Sequence, residues 1–498
     1  MIGQNLRRVI ERLVLSTAIR PAARHELHEV GRAAGIAYRQ IHQVLAGDGD
    51  PRRNLASFVT TKMGAQADRL ALENIGKNLI NSAEYPNTKT IHQRVIRMIA
   101  KLFHAELPPE DGADEPGVIG MTTGGSSEAV MLALLAHKWN WRKQHRQRPR
   151  ASHKDQPYLV IGTHTHACFT KFARYFDVNV KWVPLAPGQY AVTAEQIQTV
   201  LETRISDDPQ VMRECGFTPG EAAGRKVGEL VMAIGCVLGS TYTGALDDVA
   251  GIDRVLTEGG WDIHIHVDAA SGGFVLPFTQ PELQWDFRLP HVHSINVSNH
   301  KFGMVYAGLG TLVFRNAAIV PEELLVDVHY LSGEMRNFGL NFSRASSGVV
   351  VQYYNFLHLG HSGYRRIMQE CLATAQFLAA SLTAQSCFEV ISDTEQLPVI
   401  AVRLRTDCPP HTLSALAECL KRRGWIVPVY HLPANVEEIE IMRIVVKPEF
   451  TRAEAKSFLH DLLATVEELT AAPHPSAVNQ FVDALGRRCS MPEMGVLS

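Results

Sequence analysis

The chain has no CxxC pair among its eight cysteines, no long apolar run, and almost no net charge. Each absence removes a class of function. Cys168, Cys215, Cys236, Cys371, Cys387, Cys408, Cys419 and Cys489 are scattered, which argues against a thioredoxin-like redox site or a zinc knuckle and fits a reducing compartment. A membrane span needs about 18 or more consecutive apolar residues, and none occurs. The formal charge of -2 gives no general electrostatic grip on nucleic acid or an anionic membrane. The one dense basic run, WRKQHRQRPR at residues 141–150, reads as the solvated end of a helix and its exit loop. At the N-terminus, MIGQNLRRVIERLVLSTAIR has neither the apolar core nor the cleavage pattern of a signal peptide. There is no internal repeat, no low-complexity tract, and no GKS or GKT to complete a Walker P-loop. The expectation is a cytoplasmic protein that engages neither nucleic acid nor membrane.

What is present is a chain of 498 residues, 46% hydrophobic and 20% charged, enough for two or three domains with a large core. Residues 5–43 read as helix interrupted at Pro21, with an apolar stripe (Leu6, Val9, Ile10, Leu13, Val14) that must lie on its own chain or on a partner. Residues 54–115 read mostly as helix, broken by EYPNT at 84–88. Next comes MTTGGSSEAVML, a glycine turn opening a long helix. Strand candidates then follow at residues 158–163, 180–185, 230–238, 263–269, 293–298 and 310–315, with helical patterns between them. Continuous apolar strands alternating with helices indicate α/β architecture, a mostly parallel sheet covered on both faces. From about residue 355 the order changes to a helix, the strands FEVISD, LPVIAVRLR and EIEIMRIVVKP, and further helices. The expected domains are a helical arm at 1–60, a large domain at 61–355 and a small C-terminal α+β domain at 356–498.

Three positions suggest chemistry. In HVDAASGGF, Asp268 ends an apolar strand, and a buried carboxylate needs a cationic partner. In SNHKFG, Lys301 ends another strand of the same sheet, at the edge where open α/β sheets bind ligands. In TTGGSSEA, the glycines permit a tight turn, and Ser126 and Ser127 begin a helix whose free N–H groups favour an anion. Taken singly, the lysine could simply snorkel to solvent and the glycine-serine turn could be a helix cap without a ligand. Together, an anion cradle, an acid for a ring nitrogen and a lysine for an aldehyde describe the requirements of pyridoxal 5'-phosphate.

The blocks NLASF, EYPNT, GSSEAVML, KFARYFDV, TYTG, HVDAASGGF, SNHKFG and LNFSR, in that order, resemble those of the pyridoxal-phosphate-dependent amino acid decarboxylases of the group that includes glutamate, aromatic amino acid and histidine decarboxylases. Within that group the chain looks most like bacterial and plant glutamate decarboxylases, from about residue 54 to 466. The resemblance implies the aspartate aminotransferase-like fold (fold type I), with a seven-stranded, mostly parallel sheet. It also implies that Lys301 is the Schiff-base lysine, Asp268 the partner of the ring nitrogen, and His166 the residue stacked on the ring. Thr241 would lie near the 3-oxygen or the aspartate. Gly125, Ser126, Ser127, Ser298 and His300 would lie on the phosphate side, and Ser343 would reach the phosphate of the neighbouring subunit. An obligate homodimer with shared active sites follows, clasped by the N-terminal arm and open to further assembly. Tyr330, in VDVHYLSGEM, would return a proton to Cα, with help from His300.

For the substrate, the resemblance assigns Arg443 to the α-carboxylate and the region of Ser57, Phe58, Asn78 and Asn81 to a side-chain carboxylate. Three departures bear on this: His166 stands where bacterial glutamate enzymes resemble one another in having glutamine, Asn81 where they have an acid, and Ser57 where they have threonine. The terminal RRCSMPEMGVLS lacks the histidine-containing tail of the enteric enzymes and the basic amphipathic tail of plant relatives. The leading expectation is decarboxylation of L-glutamate to 4-aminobutanoate and carbon dioxide. The runner-up is the same chemistry on another small amino acid, such as L-aspartate or cysteinesulfinate; from a different class, the alternative is a catalytically silent dimeric scaffold.

Overall fold

A computed structural model describes residues 27, 29–107, 120–148, 151–328, 335–406 and 412–471. Its centre is a seven-stranded sheet in the order β1-β7-β6-β5-β4-β2-β3, formed by β1 (Gly120–Thr123), β2 (Tyr158–Gly162), β3 (Asn179–Val183), β4 (Val231–Val237), β5 (His264–Asp268), β6 (Val292–Val297) and β7 (Gly310–Phe314). Only β7 runs against the rest, pairing antiparallel with both β1 and β6. Strands β2, β4, β5 and β7 are buried along their whole length, as expected of a sheet covered on both faces.

The two faces of β5 differ in chemistry. Ile265 and Val267 pack in one core with Ile252 and Leu256 of the helix Val249–Gly259. The alternate residues His264, His266 and Asp268 point the other way, toward the helix Ser126–His145. Each fully buried aliphatic side chain on the first face contributes about 1.5–3 kcal/mol, so the apolar face fixes which way the polar face turns.

A ribbon of β8 (Val326–Val328) and β9 (Met335–Asn337) follows, and then a second sheet, ordered β10-β11-β13-β12, built from β10 (Phe388–Val390), β11 (Val399–Leu404), β12 (Val429–His431) and β13 (Glu440–Val445). The helix Ser347–Thr383 joins the two cores. Its first half buries Val349 and Val351 beneath the large sheet, and its second half buries Leu378 and Leu382 beneath the small one. It kinks at Gly360, whose φ of 57° lies in the left-handed region that glycine enters without strain.

The six strand candidates all lie in the large sheet. Strand β1 was not among them: it is four residues long, and its threonines run directly into the glycine turn. Residues 54–64 are not helical; the helices begin at Ala65 and Pro86. Leu55 instead donates to Ile426 O at 2.9 Å and accepts from Val445 N–H at 3.0 Å, adding this early segment to the small domain's core. The arm's stripe at residues 6–14, Tyr330 and the chain after residue 471 lie outside the described residues. Among the described residues, no helix is long and apolar enough to cross a membrane.

Candidate active site

The carboxyl ends of the strands and the start of the helix Ser126–His145 surround a cavity of about 420 Å³. Its wall includes Asp268 from the end of β5, Lys301 and His300 from the turn after β6, and the glycine-serine turn after β1. Of the residues singled out in the sequence, Gly125, Ser126, Ser127, His166, Thr241, Asp268, Ser298, His300 and Lys301 all line this one space.

Asp268 is 5% exposed. Its Oδ1 accepts from Asn296 Nδ2 at 2.8 Å and from Ala270 N–H at 3.1 Å, and both bonds fall on the same oxygen. Oδ2 is left as an acceptor beside the cavity. Lys301 Nζ lies 3.2 Å from Ser271 Oγ and 4.9 Å from the centroid of Phe58. Burial pushes the Lys301 amine below the ordinary lysine range, partly opposed by Asp268; a buried amine loses hydration that its charged form needs. The loop around Lys301 is fixed from the N-terminal segment, with Thr60 Oγ1 donating to Lys301 O at 2.7 Å and Thr60 N–H to His300 O at 2.8 Å.

At the other end, Ser126 Oγ and Ser298 Oγ are 2.6 Å apart, beside the first turn of the helix. Glu128 ties this turn to the LNFSR segment: its Oε2 accepts from Gly124 N–H at 2.7 Å and from Asn341 Nδ2 at 3.0 Å. Gly310 makes the approach possible. A Cβ there would meet the backbone carbonyl carbon of Gly125 at 2.7 Å.

His166 caps the helix Ala167–Tyr175, accepting from Cys168 N–H at 3.3 Å, and its ring is exposed at the cavity's open side. Burial of part of the ring lowers its pKa, with Asp268 opposing and Lys301 assisting. His300 is lowered chiefly by burial, and its Nδ1 has no partner among the described residues. Thr241 lines the cavity, while its carbonyl accepts from Arg443 Nη1 at 2.6 Å and from Tyr430 O–H at 3.2 Å.

Arg443, on β13, is 6% exposed. It also donates to Ala56 O, and its guanidinium carbon stands 4.8 Å from the centroid of Phe58. No carboxylate faces it among the described residues, and burial lowers its pKa. Ser57 Oγ accepts from Val59 N–H at 3.0 Å within the same segment. Arg443, Ser57 and Phe58 do not line the cavity themselves and reach its wall through Thr241 and Lys301; Asn78, Asn81 and Ser343 are placed elsewhere. Asn78 Nδ2 donates to Ser343 Oγ at 3.1 Å, Asn81 N–H donates to Asn78 O at 3.1 Å, and none of the three lines the cavity.

Sequence reasoning missed Asn296, Thr60 and His164. His164 lines the cavity fully buried, with Nε2 3.1 Å from Asp247 Oδ1, an ion-pair distance without hydrogen-bond geometry. Asn296 carried a usable signal: it is the residue directly across from Asp268 in the β5–β6 register.

These residues fit pyridoxal 5'-phosphate. One oxygen of a buried acid is free for a ring nitrogen, two hydroxyls and a helix start can accept a phosphate, and a desolvated amine shares the same wall. A model of the pyridoxal-dependent decarboxylase conserved domain matches residues 34–218 and 221–405, and the chain belongs to that family of enzymes, whose cofactor is pyridoxal phosphate. It is 40% identical over 441 residues to "Glutamate decarboxylase 5" of Arabidopsis thaliana, covering 88% of this chain and 82% of the relative. To "Glutamate decarboxylase beta" of Listeria innocua it is 36% identical over 442 residues, covering 88% of each. Among solved structures, glutamate decarboxylase from Lactobacillus brevis superposes with a TM-score of 0.80 at 35% identity, covering 92% of this chain and 98% of that one. A sphingosine-1-phosphate lyase from Burkholderia pseudomallei, 19% identical, superposes at 0.71 over 95% of this chain and 99% of its own, and shares the fold.

Proposed function

We propose that the protein decarboxylates L-glutamate to 4-aminobutanoate and carbon dioxide. The observation that carries the reading is Arg443, a buried guanidinium with no carboxylate partner. Burying an uncompensated charge costs several kcal/mol, and a bound substrate carboxylate would supply the missing counter-charge through a paired, charge-assisted contact. The likeness to glutamate decarboxylases over most of both chains favours glutamate as the amino acid.

Pyridoxal 5'-phosphate supplies, when bound, an electron-withdrawing ring that takes up the electron pair left when the carboxylate departs. The chain's own groups do the rest. Asp268 keeps a positive charge on the ring nitrogen. Ser126, Ser127, Ser298 and the helix start hold the phosphate, with Gly125 and His300 beside them. Lys301, its amine lowered by burial, would hold the cofactor by its aldehyde. His166 covers the ring. Arg443 orients the α-carboxylate, and Phe58, next to it, excludes water. Tyr330 and His300 are the proposed proton carriers to Cα.

The proposal includes a homodimer. Asn78, Asn81 and Ser343 are gathered in one cluster away from the cavity wall of their own chain, a placement suited to a second subunit's site. Leu72, Ile75 and Leu357 nearby on the fold are 71%, 67% and 65% exposed, apolar surface that a partner would cover. Cytoplasmic residence is supported by the six described cysteines, all unpaired thiols.

The test is carbon dioxide release by protein supplied with pyridoxal 5'-phosphate from L-glutamate, L-aspartate, L-cysteinesulfinate and aromatic amino acids assayed separately. Glutamate is expected to react fastest. Faster release from aspartate or cysteinesulfinate would replace the substrate while keeping the chemistry, and release from none would leave a silent scaffold.

A further inference from the structure

Beneath the cavity, on the polar face of β5, lies a buried line of side chains that the proposed chemistry does not use. His266 Nδ1 is 2.8 Å from Ser294 Oγ, His137 Nε2 is 2.7 Å from the same oxygen, and His137 Nδ1 is 2.8 Å from His264 Nδ1. His137, His266, Ser294 and Asn296 are 0% exposed. The β5–β6 register sets His266 opposite Ser294 and Asp268 opposite Asn296. His137 comes from the same helix that presents Ser126 and Ser127 to the cavity.

The proton positions follow one from the next. An ionised Asp268 only accepts, so Asn296 presents its Nδ2–H to it. That turns Asn296 Oδ1 away as an acceptor. It has no other partner, nor has the Nε2 of His266, and a proton on that nitrogen is the donor that would satisfy both buried atoms. His266 therefore carries its proton on Nε2, and its Nδ1 must accept from the Ser294 hydroxyl. With that proton used, Ser294 Oγ accepts from His137 Nε2–H, and His137 Nδ1 accepts from His264 Nδ1–H.

We propose that Asn296, His266, Ser294, His137 and His264 form a one-way hydrogen-bond chain, every hydrogen directed toward Asp268, that fixes the donor presented to this carboxylate and makes them positioning residues for the cofactor. The inference rests on Asp268 as the partner of the ring nitrogen. Bonds aligned head to tail polarise one another, and in a buried setting the effect on the terminal charge is larger than in water. Reversing the chain would turn the Asn296 carbonyl onto the carboxylate. The chain also requires every imidazole to be neutral, because a second ring proton would put a donor where an acceptor is needed. Burial favours that state, holding His137 and His264 well below the ordinary histidine range and His266 at about 4.

The test is a double-mutant cycle read as affinity of the apoenzyme for pyridoxal 5'-phosphate, by fluorescence quenching, with the thermal midpoint of each apo form as a control. Wild type, S294A, D268N and S294A/D268N are compared. S294A is expected to weaken binding about tenfold when Asp268 is present and to change it less than about twofold in the D268N background. H137L is expected to behave like S294A, and H137Q, which keeps a donor near the Nε2 position, to bind near the wild-type level; this pair serves if S294A fails to fold. An equal loss in both backgrounds, or equal loss in H137L and H137Q, would overturn the chain as anything but packing. Wild-type affinity in D268N would instead overturn the ring-nitrogen role of Asp268, a separate failure.

Discussion

Lys301 and Arg443, which come from different domains of the fold and lie 142 positions apart in sequence number, approach the same aromatic ring, at 4.9 and 4.8 Å from the centroid of Phe58. The contact places the amine proposed to hold the cofactor and the guanidinium proposed to hold the substrate on one shared side chain. Phe58 belongs to the early segment that hydrogen-bonds into the small domain through Leu55. Small and large domains thus meet at Phe58.

Replacing Arg443 by lysine keeps the charge and removes the planar fork. The loss of a bidentate, charge-assisted contact is worth roughly 1.5–3 kcal/mol. R443K should therefore lower kcat/KM for glutamate about 10- to 150-fold. Steady-state kinetics check this, with a thermal melt to separate the effect from the lost bonds to Thr241 and Ala56. Unchanged kcat/KM would remove Arg443 from the substrate site.

Gly310 is expected to tolerate no side chain. In G310A the new Cβ would fall 2.7–2.9 Å from the backbone of Gly125, and overpacking of this kind costs about 1–3 kcal/mol. The glycine-serine turn would shift and weaken the phosphate hold proposed for it. Equilibrium dialysis should show a lower fraction of bound cofactor in G310A than in wild type, and an equal fraction would mean that the turn does not hold the phosphate.

Acid should destabilise the protein through its buried histidines. His266 and His293 are lowered from 6.5 to about 4 and His92 to about 3, chiefly by burial, and His137 and His264 lie well below the ordinary value. Between the folded and unfolded values the unfolded chain binds more protons, so stability rises with pH through that window. It is fully present above about pH 6.5 and is lost as pH falls toward 4. For His266 alone the difference corresponds to about 3 kcal/mol. Asp155, held at about 2, changes nothing until lower pH. Urea midpoints at pH 7.5 and pH 5 are expected to differ, with the lower value at pH 5; equal midpoints would show that these rings are already hydrated in the native state.

The parts of this architecture that were legible in the sequence are those whose cause is local. Strand β5 was readable because apolar residues flank an acid, and the start of the helix Ser126–His145 because two glycines precede two serines. Asp268, Lys301 and the serine turn were visible for the same reason, and all three line the one cavity. What escaped depends on pairing at a distance. The extended path of residues 54–64 is set by partners such as Ile426 and Val445, which no local pattern announces. Asn296 acquires its place only when β6 lies beside β5. The alternation of His264, His266 and Asp268, set against Ser294, Asn296 and Ser298, was the available signal; strands scanned for continuous apolar character obscured it.

The most direct measurement is borohydride reduction of the cofactor-loaded protein, followed by peptide mass mapping, with and without excess L-glutamate. A pyridoxyl label is expected on the peptide containing Lys301, absent from K301A and diminished when glutamate is present, as it would be if the substrate amine competed with the lysine for the aldehyde. A label on another lysine, or a Lys301 label that glutamate leaves unchanged, would contradict the role proposed for Lys301.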